Sequence, residues 1–238
     1  MDSAQQTKKQ KEAAALVAAE LVQDGMLVGL GSGSTAEITL AAIGERVKHG
    51  LKITGIATSE KTKRLAETLN IPLATLDDFP KLDLALDGAD EIEIGSLHLI
   101  NGGGGNLLRE KLVAMVSARF VIVADERKLS ARLGSRSSVP VDVAPFGWKT
   151  TANRLERMGA QPTLRLDTHG KPFLTDGGAY VLDCGFGVIH SPLELQEKLD
   201  SIVGVVEHGL FLGMATEVII GGIEGVRRVR PDGLATTF

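Results

Sequence analysis

The chain has 238 residues, of which 43% are hydrophobic, and this is enough to bury one large core or one core and a smaller satellite. The net charge is −4 and no long basic run is present, which argues against nucleic-acid binding, because such surfaces normally carry a basic stripe. The 28 glycines cluster at the ends of apolar runs and do not repeat, so collagen-like and low-complexity chains are excluded.

The sequence predicts a cytoplasmic protein without a membrane partner. Cys184 is the single cysteine, and one cysteine cannot form an internal disulfide, which fits a reducing compartment. The first residues are polar and lack the apolar segment of a signal peptide. No apolar run approaches the roughly 20 residues that are needed to cross a bilayer.

Apolar runs alternate with helical patterns through the first half of the chain. The predicted elements, in chain order, are a helix over 7–23, a strand over 26–30, a helix over 36–47, a strand over 52–57, a helix over 59–70, strands over 82–86 and 98–100, a helix over 106–118 and a strand over 120–124. This alternation is typical of the α/β class, with a mostly parallel, doubly wound sheet that is covered on both faces. Ser59 is the predicted N-cap of the third helix.

The pattern changes later in the chain, where short β-like runs replace the longer alternation. Strands are predicted over 163–166, 172–174 and 180–183, with flanking helices over 148–158 and 192–201. These elements predict a smaller inserted α+β domain over 136–207, so that the main α/β domain comprises 1–135 and 208–238. We expect the runs at 210–211 and 217–220 to return to the main sheet.

Polar or glycine-rich segments follow the predicted strands of the main sheet. They are residues 32–35, 58–59, 87–90, 101–105 and 125–128. Ligands of open parallel sheets bind at the carboxyl ends of the strands. We therefore expect these segments to converge in one site, although they are distant in sequence.

The first segment lies between a strand and a helix and reads Gly31-Ser32-Gly33-Ser34-Thr35-Ala36. It matches the loose dinucleotide pattern G-x-G-x-x-A, but the next strand ends in hydroxyl residues and lacks the acid that holds a ribose diol. Hydroxyl groups and backbone amides at a helix start suit phosphate. A monophosphate cradle is therefore favoured over a nicotinamide site, and an ordinary strand-to-helix turn is the structural alternative.

Asp87 and Asp90 follow the third apolar strand. A turn residue and a helix cap would be purely structural roles for them, and carboxylates also suit magnesium. No third acid or histidine has suitable spacing for a metal site. Proton transfer between sugar hydroxyls is therefore the favoured function of this pair.

Four glycines, residues 102–105, precede the helix that carries Glu110. Glycines are costly to order, so the expected use of this run is close approach of the backbone to a ligand. The Glu110 side chain should lean back toward this loop as a general base, because helical side chains tilt toward the N-terminus. A contribution to the helix dipole is the alternative. Lys128, after the fifth strand, is either a solvated surface lysine or a group that stabilises an oxyanion.

Together these residues resemble the ribose-5-phosphate isomerase family, type A. The resemblance rests on Gly31–Ala36, Asp87–Asp90, Asn101–Lys111 and Lys128, and it covers almost the whole chain. It implies an aldose–ketose isomerase of the pentose phosphate pathway that interconverts D-ribose 5-phosphate and D-ribulose 5-phosphate through an enediolate. It also implies that no metal or organic cofactor is needed and that the chain forms a homodimer or a homotetramer.

The resemblance also implies a role for each motif. Glu110 would carry the proton between C1 and C2, and Lys128 would stabilise the charge of the enediolate. Asp87 and Asp90 would assist ring opening and proton transfer between oxygens. Substrate contacts are implied for Lys11, Ser32, Gly33, Ser34, Thr35, Asp87, Gly88, Ala89, Asp90, Asn101, Gly102, Gly103, Gly104 and Lys128.

One position departs from the family motif, because lysine is usual where this chain has Asn101. A charge-assisted hydrogen bond contributes ~1.5–3 kcal/mol and a neutral one ~0.5–1.5 kcal/mol, so the expected loss of activity is roughly ten-fold. General base catalysis contributes ~10²–10⁴-fold. We therefore expect the activity to be weakened or broadened toward other aldoses, and not abolished.

Two other classes of function stay open at this point. A sugar-phosphate sensor without catalytic activity would use a similar cleft, but such sensors usually carry a DNA-binding domain, for which the segment before the first strand is short. A nicotinamide-dependent dehydrogenase is the second alternative. The presence of Glu110 together with both acids favours the isomerase.

Overall fold

The computed structural model describes residues 3–231 and 235–237. Its helices are α1 (Ser3–Ala19), α2 (Ser34–Lys48), α3 (Glu60–Thr68), α4 (Leu107–Val116), α5 (Trp148–Arg157) and α6 (Pro192–Asp200). Its strands are β1 (Leu27–Leu30), β2 (Thr54–Ala57), β3 (Leu84–Asp87), β4 (Glu91–Glu93), β5 (Leu99–Ile100), β6 (Phe120–Asp125), β7 (Leu129–Ser130), β8 (Val139–Val143), β9 (Gln161–Leu164), β10 (Tyr180–Gly185), β11 (Val205–His208), β12 (Leu210–Phe211), β13 (Glu217–Gly222), β14 (Gly225–Val229) and β15 (Ala235–Thr237). A short 3₁₀ helix, Glu126–Lys128, follows β6. No helix among the described residues is long and apolar enough to span a bilayer.

The main sheet has the strand order β15-β14-β13-β6-β3-β1-β2. Its strands from β13 to β2 are parallel, and β14 and β15 extend it in antiparallel fashion. The predicted α/β class with a mostly parallel sheet is confirmed. Every residue of β6 is buried, as expected for a central strand that is covered on both faces.

Alternate residues of the main sheet face two separate cores. Leu84 and Leu86 of β3 pack on one face with helical residues such as Ile43 of α2. Ala85, which lies between them, packs on the other face with Val113 of α4. Side chains of a strand alternate between its faces, so a continuous apolar run supplies both cores.

The helices of the main sheet follow the predicted pattern closely. α1 ends at Ala19, earlier than the predicted end at 23, and α2 begins at Ser34, earlier than the predicted start at 36. The predicted N-cap at Ser59 is confirmed, because its hydroxyl accepts a hydrogen bond from the backbone N–H of Thr62 at 2.9 Å.

A separate small sheet of order β12-β5-β4-β7 packs against the main sheet. The prediction that the runs at 98–100 and 210–211 join the main sheet is therefore wrong. The turn at Gly95 reverses the chain after β4, so that β5 pairs antiparallel with β4, and β12 then pairs with β5. The prediction for 217–220 is confirmed, because β13 lies beside β6 in the main sheet.

A further antiparallel sheet of order β11-β8-β10-β9 shares a core with α5 and α6. The predicted strand over 172–174 is wrong, since Pro172 and Leu174 form only isolated bridges. Proline lacks the N–H group that a continuous ladder requires. This second sheet and its helices lie between residues 139 and 208. The division of the chain into an insert over 136–207 and a main domain remains a prediction.

Candidate active site

A cleft of about 90 Å³ opens at the carboxyl ends of β1 and β3. It is lined by Lys11, Ser32, Gly33, Ser34, Thr35, Gly88, Ala89, Asp90, Asn101, Gly104, Glu110 and Lys128. Each of these residues belongs to the set for which the sequence predicts a catalytic or substrate-binding role. Asp87, Gly102 and Gly103 complete that set and lie next to the lining residues.

Glu110 faces the cleft from the first turn of α4 and is 3% exposed. Its Oε1 atom accepts a hydrogen bond from the Ser32 hydroxyl, and its Oε2 atom has no partner among the described residues. The pKa of the Glu110 carboxyl is raised to about 7, mainly by burial; the Ser32 hydrogen bond opposes this rise and the charge of Asp90 adds to it. Glu110 therefore accepts its hydrogen bond from Ser32, in the loop after β1, and not from the glycine run at 102–105 toward which it was expected to lean. A carboxyl group in this state can accept and return a proton near neutral pH.

Asp87 is buried beside Glu110 at the end of β3. Its Oδ1 atom accepts hydrogen bonds from the backbone N–H groups of Ser32 at 3.0 Å and Gly88 at 2.8 Å. Burial, followed by the charge of Glu110, raises the pKa of Asp87 well above its usual range. The two carboxyl groups therefore titrate as a pair. Gly31 permits this arrangement, because any side chain there would overlap the Asp87 carboxylate.

The glycine run at 102–105 is held mainly by contacts within the protein. The backbone N–H of Gly103 donates a hydrogen bond to Asp90 Oδ2 at 2.6 Å. Gly105 has a φ angle of 79°, and its backbone lies against an aromatic ring from the segment after β9. Gly104 is the member of the run that lines the cleft. Close approach of a ligand therefore applies at Gly104, whereas Gly103 and Gly105 serve the packing of the loop.

The exposed rim of the cleft carries hydroxyl and ammonium groups. α2 begins at Ser34, and Gly33 offers no side-chain cap, so the first N–H groups of this helix can bind an anion. The Lys11 ammonium donates a hydrogen bond to the Ser34 hydroxyl at 2.9 Å. Lys128 reaches the same cleft from the 3₁₀ helix after β6. Positive groups beside a helix N-terminus suit a phosphate.

The sequence matches a family model and many known proteins over most of its length. The model for ribose 5-phosphate isomerase A (phosphoriboisomerase A) matches residues 54–225. The ribose-5-phosphate isomerase A of Synechococcus sp. is 56% identical over 221 residues, which cover 92% of this chain and 96% of that relative. The one of Gloeobacter violaceus is 55% identical over 222 residues, covering 93% of this chain and 96% of the relative. This chain belongs to the ribose 5-phosphate isomerase A family.

Solved structures of the ribose 5-phosphate isomerase A family have the same fold. The structure of ribose 5-phosphate isomerase A from Methanocaldococcus jannaschii matches with a TM-score of 0.91 at 38% identity, covering 94% of this chain and 99% of that one. A D-ribose-5-phosphate isomerase in complex with phospho-erythronic acid also matches with a TM-score of 0.91, at 36% identity and the same coverage of 94% and 99%. The predicted family and fold class are therefore both confirmed.

Asn101, where the resemblance implies lysine, lies inside the cleft and is 6% exposed. Its side-chain Nδ2 atom is 3.4 Å from Asp87 Oδ2. Ser32 and Gly88 contact the other oxygen of the same carboxylate. An asparagine at this position therefore places a neutral amide beside Asp87, where a lysine would place a positive charge.

Residues 58–59 do not line the isomerase cleft, so this part of the predicted convergence is wrong. The Thr58 hydroxyl donates a hydrogen bond to the backbone oxygen of Leu30 at 3.1 Å, and the Ser59 hydroxyl caps α3. These segments follow β2, which is the edge strand beyond β1 in the sheet order. Their hydroxyl groups are used in hydrogen bonds within the fold.

Two residues that hold the isomerase cleft are not predicted by the sequence motifs. Asn106 forms no side-chain cap for α4, and its Nδ2 atom donates to the Ser32 hydroxyl at 3.2 Å. Arg165, just after β9, donates to the backbone oxygen of Gly103 at 3.0 Å and forms an ion pair with Asp183. The position of Asn106, an amide side chain directly after the glycine run, could have indicated its place at the cleft. No pattern in the sequence connects Arg165 with that loop.

A group of possible metal ligands lies away from the cleft, at Asp200, Glu207 and His208, whose ligand atoms are within 4.8 Å of one another. The Lys111 ammonium donates a hydrogen bond to Glu207 Oε1 at 2.6 Å and another to the backbone oxygen of His208 at 2.6 Å. This ammonium group supplies the positive charge that a metal ion would bring. We therefore assign no metal to this group.

Proposed function

We propose that Glu110 is the base that moves a proton between C1 and C2 of the sugar phosphate. As a member of its family, the chain is an aldose–ketose isomerase that interconverts D-ribose 5-phosphate and D-ribulose 5-phosphate. Removal of a proton from carbon needs a base whose pKa lies near the working pH. The observation that supports this role is the buried Glu110 carboxyl, which has a pKa of about 7, one oxygen held by Ser32 and the other unpartnered among the described residues.

The proton transfers follow from this assignment. In the open-chain aldose, Glu110 accepts the proton of C2, and the electron pair left behind forms the C1–C2 double bond of an enediolate with its negative charge on O1. The hydroxyl proton on O2 then moves to O1, and Glu110 returns its proton to C1, which leaves the ketone at C2. We assign the oxygen-to-oxygen transfer and ring opening to Asp87 and Asp90. Lys128 stabilises the negative charge of the enediolate.

We place the 5-phosphate at the start of α2, where the Lys11 ammonium and the Ser34 hydroxyl form a hydrogen-bonded pair at 2.9 Å. The proposed phosphate contacts are Lys11, Ser32, Gly33, Ser34 and Thr35. The proposed sugar contacts are Asp87, Gly88, Ala89, Asp90, Asn101, Gly102, Gly103, Gly104 and Lys128. The acids and the proposed phosphate contacts belong to one cleft, so an extended sugar phosphate would reach both.

The Glu110→Gln variant tests the assignment of the base. The amide keeps an oxygen that accepts the Ser32 hydrogen bond, but it cannot accept the C2 proton. We expect turnover of ribose 5-phosphate, assayed with a chelator present, to fall at least ~10²-fold. Exchange of the C2 hydrogen with solvent should fall by the same factor, because both processes need the same proton transfer.

Binding of phospho-erythronic acid serves as the control for an intact site. A solved relative was obtained in complex with this acid, and we expect both the parent and Glu110→Gln to bind it with similar affinity. Loss of turnover with retained binding supports the base assignment. Near-normal turnover in Glu110→Gln contradicts it, whichever result the binding measurement gives.

We also propose that the chain assembles as a homodimer or homotetramer and works in the cytoplasm. Leu112 and Met115 of α4 are 45% and 69% exposed, and we propose that they are part of the surface that another subunit covers. Sedimentation of the purified chain tests the assembly; a monomer at working concentration contradicts it. Fractionation of the source cells tests the location.

A further inference from the structure

A second cavity, of about 280 Å³, lies beside the first turn of α4 and is separate from the cleft. Leu108 and Arg109 of α4 form one wall, and Asp142 and Val206 of the second sheet form another. The turn at 175–179 closes the third side. Its volume is at the lower end of the range that is typical of small-molecule sites.

Asp142 lines this cavity and has a buried carboxylate oxygen without a hydrogen-bond partner among the described residues. The residue is 1% exposed, and the oxygen without a partner is Oδ1. Nearby cations do not fill this role: the Lys111 ammonium donates to Glu207 and to the backbone of His208, and the Arg165 guanidinium pairs with Asp183. A buried carboxylate oxygen without a partner costs free energy, so a ligand that donates a hydrogen bond to Oδ1 would be favoured.

The other charged groups of the cavity leave it with acidic character. Arg109 contributes a guanidinium, but this group is already paired with Glu60 at 3.0 Å and with Asp176 at 3.6 Å. Asp176 also accepts a hydrogen bond from the backbone N–H of Glu60 at 2.7 Å. A cation is therefore favoured over an anion in this cavity, and Asp142 is the group that remains to receive it.

We propose that this cavity binds a small organic cation, a primary amine with a compact apolar body, whose ammonium group donates hydrogen bonds to Asp142. The apolar body would pack against Leu108, Ala144 and Val206 in the walls. Asn106 also lines this cavity, and its amide holds the Ser32 hydroxyl at 3.2 Å in the neighbouring cleft. A ligand here would therefore contact a residue that supports the active site without entering it.

The test is a titration of the full chain with benzylamine, cyclohexylamine and the neutral analogue benzyl alcohol. Burial raises the pKa of Asp142 to about 7, so the titrations are made at about pH 8, where this carboxyl is charged. We expect saturable binding of at least one amine with a Kd of about 1 mM, as is typical of so small a ligand. Benzyl alcohol should bind at least about ten-fold more weakly than benzylamine, because it lacks the charge.

Three variants locate the binding. Asp142→Asn should weaken amine binding at least about ten-fold, and Val206→Phe, which enlarges an exposed wall residue, should weaken it while leaving the fold intact. Glu110→Gln is the matched control, since it neutralises the buried acid of the other cavity. The Glu110 charge reaches Asp142 only as a lesser electrostatic effect, so this variant should weaken amine binding much less than Asp142→Asn does. The proposal is overturned if neither amine binds, if benzyl alcohol binds as well as benzylamine, or if Asp142→Asn leaves amine binding unchanged.

Discussion

The two sides of the cleft differ in how far they exclude water. On the acid side, Asp87 and Glu110 are each 3% exposed, whereas on the rim Lys11, Ser34 and Lys128 are partly or fully exposed. Burial removes water from a charge and shifts its pKa, as it does for both acids. Charges on an exposed rim keep their hydration and act by an attraction that salt screens.

This difference separates two kinds of expected effect. Changes on the acid side should alter turnover and the pH dependence of stability, because they change a buried ionisation. Changes on the rim should alter the Michaelis constant and its salt dependence, because they change how the phosphate is bound. The same substitution made at a buried residue and at a rim residue therefore tests whether burial decides if a residue affects turnover or substrate binding.

The largest expected effect is on the stability of Glu110→Gln. The pKa of Glu110 is raised from its usual 4.5 to about 7 in the folded chain, so the folded state binds this proton more tightly than the unfolded state does. Folding therefore loses stability as pH rises from about 4.5 to about 7, and this loss amounts to at most about 3 kcal/mol. Glutamine removes it, so the variant should melt higher than the parent at about pH 8 and similarly to it at about pH 4.

Thermal melts at several pH values check this, with Glu20→Gln as the control for an exposed glutamate. The difference in melting temperature between parent and Glu110→Gln should grow with pH, while that of the control should stay constant. A parent that is stabilised by ionisation of Glu110 would reverse the sign of the trend. Such a result contradicts the view that burial sets the proton affinity of the acid side.

The next effect is that of Ser32→Ala. The Ser32 hydroxyl donates to Glu110 and so favours its charged form, opposing the effect of burial on its pKa. Without this donor, turnover at neutral pH should fall roughly 10–100-fold, the range of a hydrogen bond to a charged group, and the acid limb of the pH profile should move to higher pH. Ser34→Ala is the matched control on the rim and should mainly raise the Michaelis constant. Equal losses of turnover in Ser32→Ala and Ser34→Ala would contradict the proposed difference between the acid side and the rim.

Lys11→Gln tests the rim directly. The ammonium group lies 2.9 Å from the Ser34 hydroxyl at the proposed phosphate site. We expect the Michaelis constant for ribose 5-phosphate to rise about ten-fold with turnover little changed, and the salt dependence of binding to become weaker. Lys8→Gln, an exposed lysine on the same helix that pairs with Glu12 at 3.8 Å, is the control and should change neither. A loss of turnover in Lys11→Gln would place Lys11 in the chemistry.

The sequence predicts the main sheet well because buried parallel strands are continuous apolar runs. The run over 120–124 is β6 in the structure, and the run over 26–30 contains β1. β4 was missed because it is short and acidic: Glu91 is fully buried, and its carboxylate accepts hydrogen bonds from backbone N–H groups such as that of Gly134 at 3.0 Å. The local sequence pattern does not show a hydrogen-bond partner that is distant in sequence.

Strand topology predicts most residues that line the cleft, but it does not predict the residues that hold those lining residues in place. Carboxyl ends of parallel strands meet at one edge, and this rule brings Ser32 after β1, Asp90 after β3 and Lys128 after β6 together. Asn101 comes to the cleft from β5 of the small antiparallel sheet, which the rule does not cover. Arg165 holds the glycine run from another sheet, at a sequence separation of 62 residues from Gly103. Antiparallel pairing within the second sheet sets that contact, and no motif in the sequence records it.

The smallest expected effect is that of Asn101→Lys, which introduces the lysine that the resemblance implies at this position. Asn101 is buried on the acid side, with Nδ2 3.4 Å from Asp87 Oδ2, so a lysine ammonium group there would favour the charged form of Asp87. We expect turnover on ribose 5-phosphate to rise about three- to ten-fold, measured beside a panel of other phosphorylated aldoses. Asn101→Met, of similar length without the charge, should bring no gain. An unchanged or lower turnover on ribose 5-phosphate, with a loss on another aldose of the panel, would mean that Asn101 is adapted to that sugar. Neutral hydrogen bonding beside Asp87 would then be a determinant of specificity.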